Sequence, residues 1–121
     1  MSWERKLDDA EPLRQNVDLT IEINDECYSV DVPETLPDEA HDFFEKMDLD
    51  MNAGWQMSRW WVPDPDVTQR CQIVADKLLS AITNENQQYA QLLCAYILKV
   101  KPSTRRIRIN TDGEIQGNEF L

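Results

Sequence analysis

The sequence predicts an α+β fold: a mixed or antiparallel sheet of three to four strands, in the element order ββαααββ, with three helices packed on one face. Three observations carry this. Residues 17–32 and 105–110 alternate apolar and polar side chains with a period of two. Between them, apolar residues recur at spacings of three and four, the period of helices buried on one side. Prolines and short polar clusters punctuate the changes of period. With 121 residues, 41% of them apolar, one domain with a real core is expected.

Residues 1–15 are polar without a clear period and read as a loosely ordered arm, leaving 16–121 as the single domain. Val17, Leu19, Ile21 and Ile23 then alternate with Asp18, Thr20 and Glu22, "NDE" makes a turn, and Tyr28, Val30 and Val32 alternate with Ser29 and Asp31. This is a hairpin with one buried face. Pro33 and Pro37 bracket the exit. Asp38 fits the N-cap of a first helix, and Glu39, Asp42 and Glu45 complement its dipole. Ala40, Phe44, Met47, Met51 and Trp55 form its apolar stripe, and Val62-Pro63-Asp64-Pro65 must break it.

A second helix starts near Asp66, with Val67, Cys71, Val74, Leu78 and Ile82 as its stripe. "TNEN" interrupts at 83–86. Tyr89, Leu92, Leu93, Tyr96, Ile97 and Val100 make a third stripe, closed by Pro102. An αα-hairpin is expected, with one continuous helix as the alternative, because "TNEN" holds neither Gly nor Pro. Leu78 and Leu92 are assigned to the core. Ile107 and Ile109 mark the next strand, "TDGE" a tight turn, and Glu114–Gln116 a short last strand. Acids on the outer face of the first hairpin (Asp18, Glu22, Asp31) against Arg106 and Arg108 place strand 105–110 beside that hairpin.

The run "MNAGWQMSRWW" at 51–61 holds three tryptophans. At 100° per residue, Trp55 stays on the core stripe, while Trp60 falls about 140° and Trp61 about 240° away, with Met57 between them. Two arrangements fit. Either the helix ends or bends near Gly54–Arg59 and the last tryptophans fold over the core, or it continues and Met57 and Trp60 face outward. In the second, Asp38, Asp42 and Glu45 share the face of Trp60, and these five residues form a candidate partner surface.

The charge is lopsided. Residues 1–66 carry 18 acids against 5 bases, and residues 67–121 carry 5 against 7, for a net −11. This disfavours direct nucleic-acid binding and suits a partner with a basic surface. The start lacks an apolar signal segment, and the longest apolar run is "LLCAYIL", too short for a bilayer. A cytoplasmic protein without a membrane partner is expected. Cys27, Cys71 and Cys94 have neither disulfide nor zinc spacing and read as reduced small hydrophobes.

No catalytic, cofactor or metal set emerges. Asp48, Asp50 and Asn52 have the spacing of a calcium loop, but Ala53 stands where its glycine belongs and Arg59 where its glutamate belongs. His41, the one histidine, reads as a solvated residue of the first helical turn. No nucleophile elbow, phosphate loop or metalloprotease motif occurs. The expected function is a non-catalytic protein-binding module: an adaptor, regulator or accessory subunit, compatible with a homodimer. The alternative is an acidic inhibitor that mimics nucleic acid, with Lys46 interrupting its carboxylate row. An enzyme with a carboxylate site carries the least weight.

Overall fold

The computed structural model describes residues 16–121, so the expected N-terminal arm lies outside the described residues. Strands β1 (Val17–Ile23) and β2 (Glu26–Val32) form the expected hairpin. Asn24 begins its two-residue turn with φ 57°, a positive value that matches the twist of the flanking strands. Next come a one-turn helix α1 (Leu36–Glu39) and helix α2 (His41–Asn52). A second hairpin follows, β3 (Trp55–Met57) with β4 (Trp60–Val62). Helices α3 (Val67–Thr83) and α4 (Gln87–Val100) lead to β5 (Arg106–Ile109), and β6 (Glu119–Phe120) ends the chain.

The main sheet has the order β2-β1-β5-β6 and is mixed: β5 runs parallel to β1, and the other pairs are antiparallel. Its inner face supplies Leu19, Ile21, Val30, Val32, Ile107 and Ile109 to a core shared with the helices. Its outer face is polar. There Glu22 accepts hydrogen bonds from both Arg106 and Arg108, and Arg108 also reaches Glu119. The opposed charges expected on neighbouring strands therefore meet across the β1–β5 register.

This pairing has a pH signature. The arginines hold the Glu22 carboxyl below its ordinary value of 4.5. A carboxylate with a depressed folded pKa contributes stability that is present above the ordinary value and lost as pH falls through the folded one. Asp76 acts in the opposite sense, because burial raises its pKa and protonation relieves it. Glu22→Gln should flatten the fall in denaturant midpoint as pH drops below the ordinary value of 4.5. An unchanged slope would mean that the Glu22 pairs are too well solvated to count.

The αα-hairpin is two helices, not one. Asp66 and Gln69 form a reciprocal capping box at the start of α3. Glu85 takes φ 57°, which stops helical propagation, and the Asn86 side chain then caps α4 by accepting from the Tyr89 amide. Some residues sit differently from the expectation. Leu92 is half-buried while Leu93, one position on, is fully buried. Val67 is exposed because it is the first residue of α3, ahead of the turns that reach the core. Ile82 is only partly covered, one residue before the end of the same helix. Cys27 is exposed on β2, so it is not the buried hydrophobe expected, unlike Cys71 and Cys94.

The expected strand at 114–116 is a 3-10 turn, Ile115–Gly117. The Asn110 carboxamide accepts from the amides of Asp112 and Glu114, which captures backbone donors that a strand would need. The short strand β6 begins at Glu119, beyond the expected segment, after the buried Asn118 has bonded the Asn110 amide and the Gln72 carbonyl.

Candidate partner surface

The first helix does not reach Trp55. It ends at Asn52, and Gly54 adopts φ 106°, outside helical space and open to glycine with little strain. Beyond it the chain is extended, so the angular placement of Met57 and Trp60 on a continued helix is overturned. Ser58, at φ 59°, begins the two-residue turn between β3 and β4.

Strand pairing now decides orientation. Directly opposed residues share a face, so Met57 with Trp60, and Trp55 with Val62, lie on one side of the hairpin, and Gln56 with Trp61 on the other. Met57 is completely buried, which removes it from the expected partner surface. Trp60, at the turn end of the same side, is 63% exposed. Trp61 is 59% exposed and lays its indole against Gly54, where no Cβ intervenes. Trp55 is half-buried, with the Lys77 ammonium 4.7 Å from its ring centroid. The structure thus keeps Trp60 exposed, exposes Trp61 on the opposite face of the hairpin, and retires Met57 to the core.

The hairpin is fastened at both ends. At its turn, the Ser58 hydroxyl donates to the Gly113 carbonyl at 2.7 Å and accepts from the Ile115 amide at 2.8 Å, and Arg59 stands 3.8 Å from Glu114. At its base, Arg70 of α3 acts as a hub. Its guanidinium donates to the Pro65 carbonyl, to the carbonyl and carboxylate of Asp48, to Asn52 and to Asp64. Tyr96 of α4 donates to the same Asp48 carboxylate at 2.6 Å. Burial and this hydrogen bond push the Tyr96 phenol above its ordinary range. One ionic cluster therefore ties α2, α3, α4 and the exit from the tryptophan hairpin. The calcium-like residues Asp48 and Asn52 are ligands of Arg70.

The acids Asp38, Asp42 and Glu45 are all exposed, but Trp60 is not their neighbour on a helical face. Asp38 lies within α1 and caps nothing: the residue at the cap position is Thr35, whose side chain makes no cap bond. Asp42 and Glu45 lie in the first turns of α2, and Glu45 is about 10 Å along the axis from the helix end. His41 approaches Glu45 at 3.9 Å, and Lys46 approaches Asp50 at 3.7 Å. Potential ligand atoms of His41, Asp42 and Glu45 fall within 4.8 Å of one another, all on exposed residues. Solvent reaches this trio freely, and nothing beyond the proximity points to an ion.

The thiols offer little nucleophilic chemistry where they are buried: desolvation pushes Cys71 up to about 11 and Cys94 up to about 12. Among the described residues no helix is long and apolar enough to cross a membrane.

The chain matches no family model, no curated protein and no solved structure. The site must therefore be read from its own geometry. Sequence reasoning missed Trp61 and Arg70. A signal for the hairpin was present: two three-residue runs, "WQM" and "WWV", separated by two residues and preceded by a glycine.

Proposed function

We infer that the chain is a small acidic protein-binding module of the cytoplasm, an adaptor, regulator or accessory subunit without catalytic activity. The observation that carries this reading is that Trp60 and Trp61, on opposite faces of one hairpin held at both ends, are both more than half exposed. A tryptophan left in water forfeits the burial that usually justifies it, and large aromatic anchors dominate protein interfaces. A fixed platform also lowers the ordering cost of association. The partner would present an apolar pocket for Trp60, with Trp61 reached only by a partner that wraps the hairpin, and basic groups suited to the exposed acids Asp38, Asp42 and Glu45. Mimicry of nucleic acid is the weaker reading, because His41 and Lys46 stand beside Glu45 and Asp50 within the carboxylate row.

The test is capture from extracts of the native host on immobilised chain, followed by affinity measurement with the recovered protein. Trp60→Ala should weaken binding by about 2 kcal/mol or more, the size typical of an interface anchor, without changing the denaturant midpoint. Asp42→Asn should slow association, and its effect should fade as added salt shortens the screening length. Undiminished binding by a Trp60→Ala, Trp61→Ala double variant would remove the hairpin from the interface.

A further inference from the structure

The first hairpin has an open side. β2 is an edge strand, and beyond it lies a groove of about 720 Å³ whose far wall is the α3–α4 connection. The Gln91 amide donates to the Asp31 carbonyl at 2.7 Å, so the backbone polar groups of Asp31 face away from β1. In an antiparallel ladder the N–H and C=O of one residue point the same way, and the direction alternates. Cys27 and Ser29 therefore also present a donor and an acceptor along the edge away from β1, Ser29 within the groove itself. The groove's apolar floor comes from Val30, Ala81, Ile82 and Ala90, and its lining holds Asp31 and Glu85 but neither Lys nor Arg.

A second observation sets the charge of what would fit. On the outer face, Asp18 lies directly opposite Asp31 in the β1–β2 register. Like charges so placed destabilise a sheet. Each is relieved only by a neutral group, the Ser29 hydroxyl on Asp18 and the Asn16 amide on Asp31. Among the described residues no cation pairs with either, whereas Glu22 on the same face has two arginines.

We propose that the β2 edge receives an extended segment of a partner protein, with alternating apolar and basic residues, as an added strand. Strand addition satisfies the open groups of Cys27 and Ser29. The period of two then sends apolar side chains toward Val30 and Ile82 and basic ones to the outer face beside Asp31. A second copy of the chain is disfavoured, because two β2 edges would bring like carboxylates together in a protein of net charge −11. The site is separate from the tryptophan hairpin, so either reading can fail alone.

The probe is a seven-residue peptide of alternating Val and Lys, as long as β2, titrated into the full-length chain with amide NMR and fluorescence anisotropy. The amides of Cys27 and Ser29 should shift and exchange more slowly. N-methylation of alternate peptide nitrogens keeps charge and side chains but removes ladder donors, and should cut affinity by about tenfold or more. Asp18→Asn and Asp31→Asn should each weaken binding by about twofold to fivefold, and Trp60→Ala should leave it unchanged. Equal binding by the N-methylated peptide would overturn the proposal as mere charge attraction. So would shifts confined to Asp38–Glu45, or self-association of the free chain through this edge in sedimentation.

Discussion

Leu78→Ala should lower the free energy of unfolding by about 2–5 kcal/mol, a large part of the roughly 5–15 kcal/mol that a domain of this kind possesses. Leu78 is fully buried in the middle of α3, among side chains of the sheet and of α4. Truncation removes apolar contact and leaves a cavity that a sheet-backed core cannot close. Leu92→Ala provides the internal control. It removes the same atoms from a half-buried position, where water fills the space, and should cost clearly less. Urea midpoints of the two variants give the comparison. Equal losses would show that the partly covered flank of α4 contributes as much as the centre.

Gly54→Ala should be nearly as damaging, for a different reason. A Cβ built on Gly54 would stand 2.4 Å from Trp61 Cζ2 and 2.8 Å from Cε2. The indole must leave, or the backbone must turn from φ 106°, a value L residues rarely adopt. Backbone strain of this kind costs about 1–3 kcal/mol, and overpacking typically about 1–3 kcal/mol more. The two costs separate in a double-mutant cycle. Trp61→Ala in the Gly54→Ala background should restore the packing part alone, giving a favourable coupling. Strict additivity would place the whole cost in the backbone. An unaffected midpoint in Gly54→Ala would refute the close approach of Trp61.

Much of the fold was readable from periodicity because one face of most elements is apolar. Leu19, Ile21, Val30 and Val32 declare their strands, and Phe44, Met47 and Met51 declare their helix. The opposed charges of Glu22 and Arg106–Arg108 located β5 as well. The errors fall where a local device outweighs the pattern. Met51 and Trp55 are four apart, so a helical stripe seemed to continue, but the positive φ of Gly54 ends it between them. At 114–116 the Asn110 side chain captures backbone donors that periodicity cannot see. For the candidate surface, Trp60 is exposed as in the arrangement that faced it outward, but on a strand hairpin and not on the continued helix which that arrangement required. Met57 was misplaced because a period of two, not 3.6, governs its segment. Asp42 and Glu45 were assigned to the correct helix, but Asp38 belongs to the separate turn α1, and the union of all three with Trp60 depended on a helix that stops at Asn52.

The parallel pairing of β1 with β5 also orders events in time. Thr20 finds Arg106, and Ile23 finds Ile109, only after all the intervening helices have been made. The β1–β2 hairpin closes over two residues and can form early, whereas its inner edge waits for the last part of the sequence. During synthesis, therefore, Leu19 and Ile21 lie on a ribbon with both edges open. The helical hairpin α3–α4 emerges before β5 and is the first element able to cover their apolar face. High sequence separation makes closure of the sheet the slow step. The carboxylates crowded on that ribbon, Glu22 among them until Arg106 and Arg108 arrive, disfavour its pairing with another nascent copy.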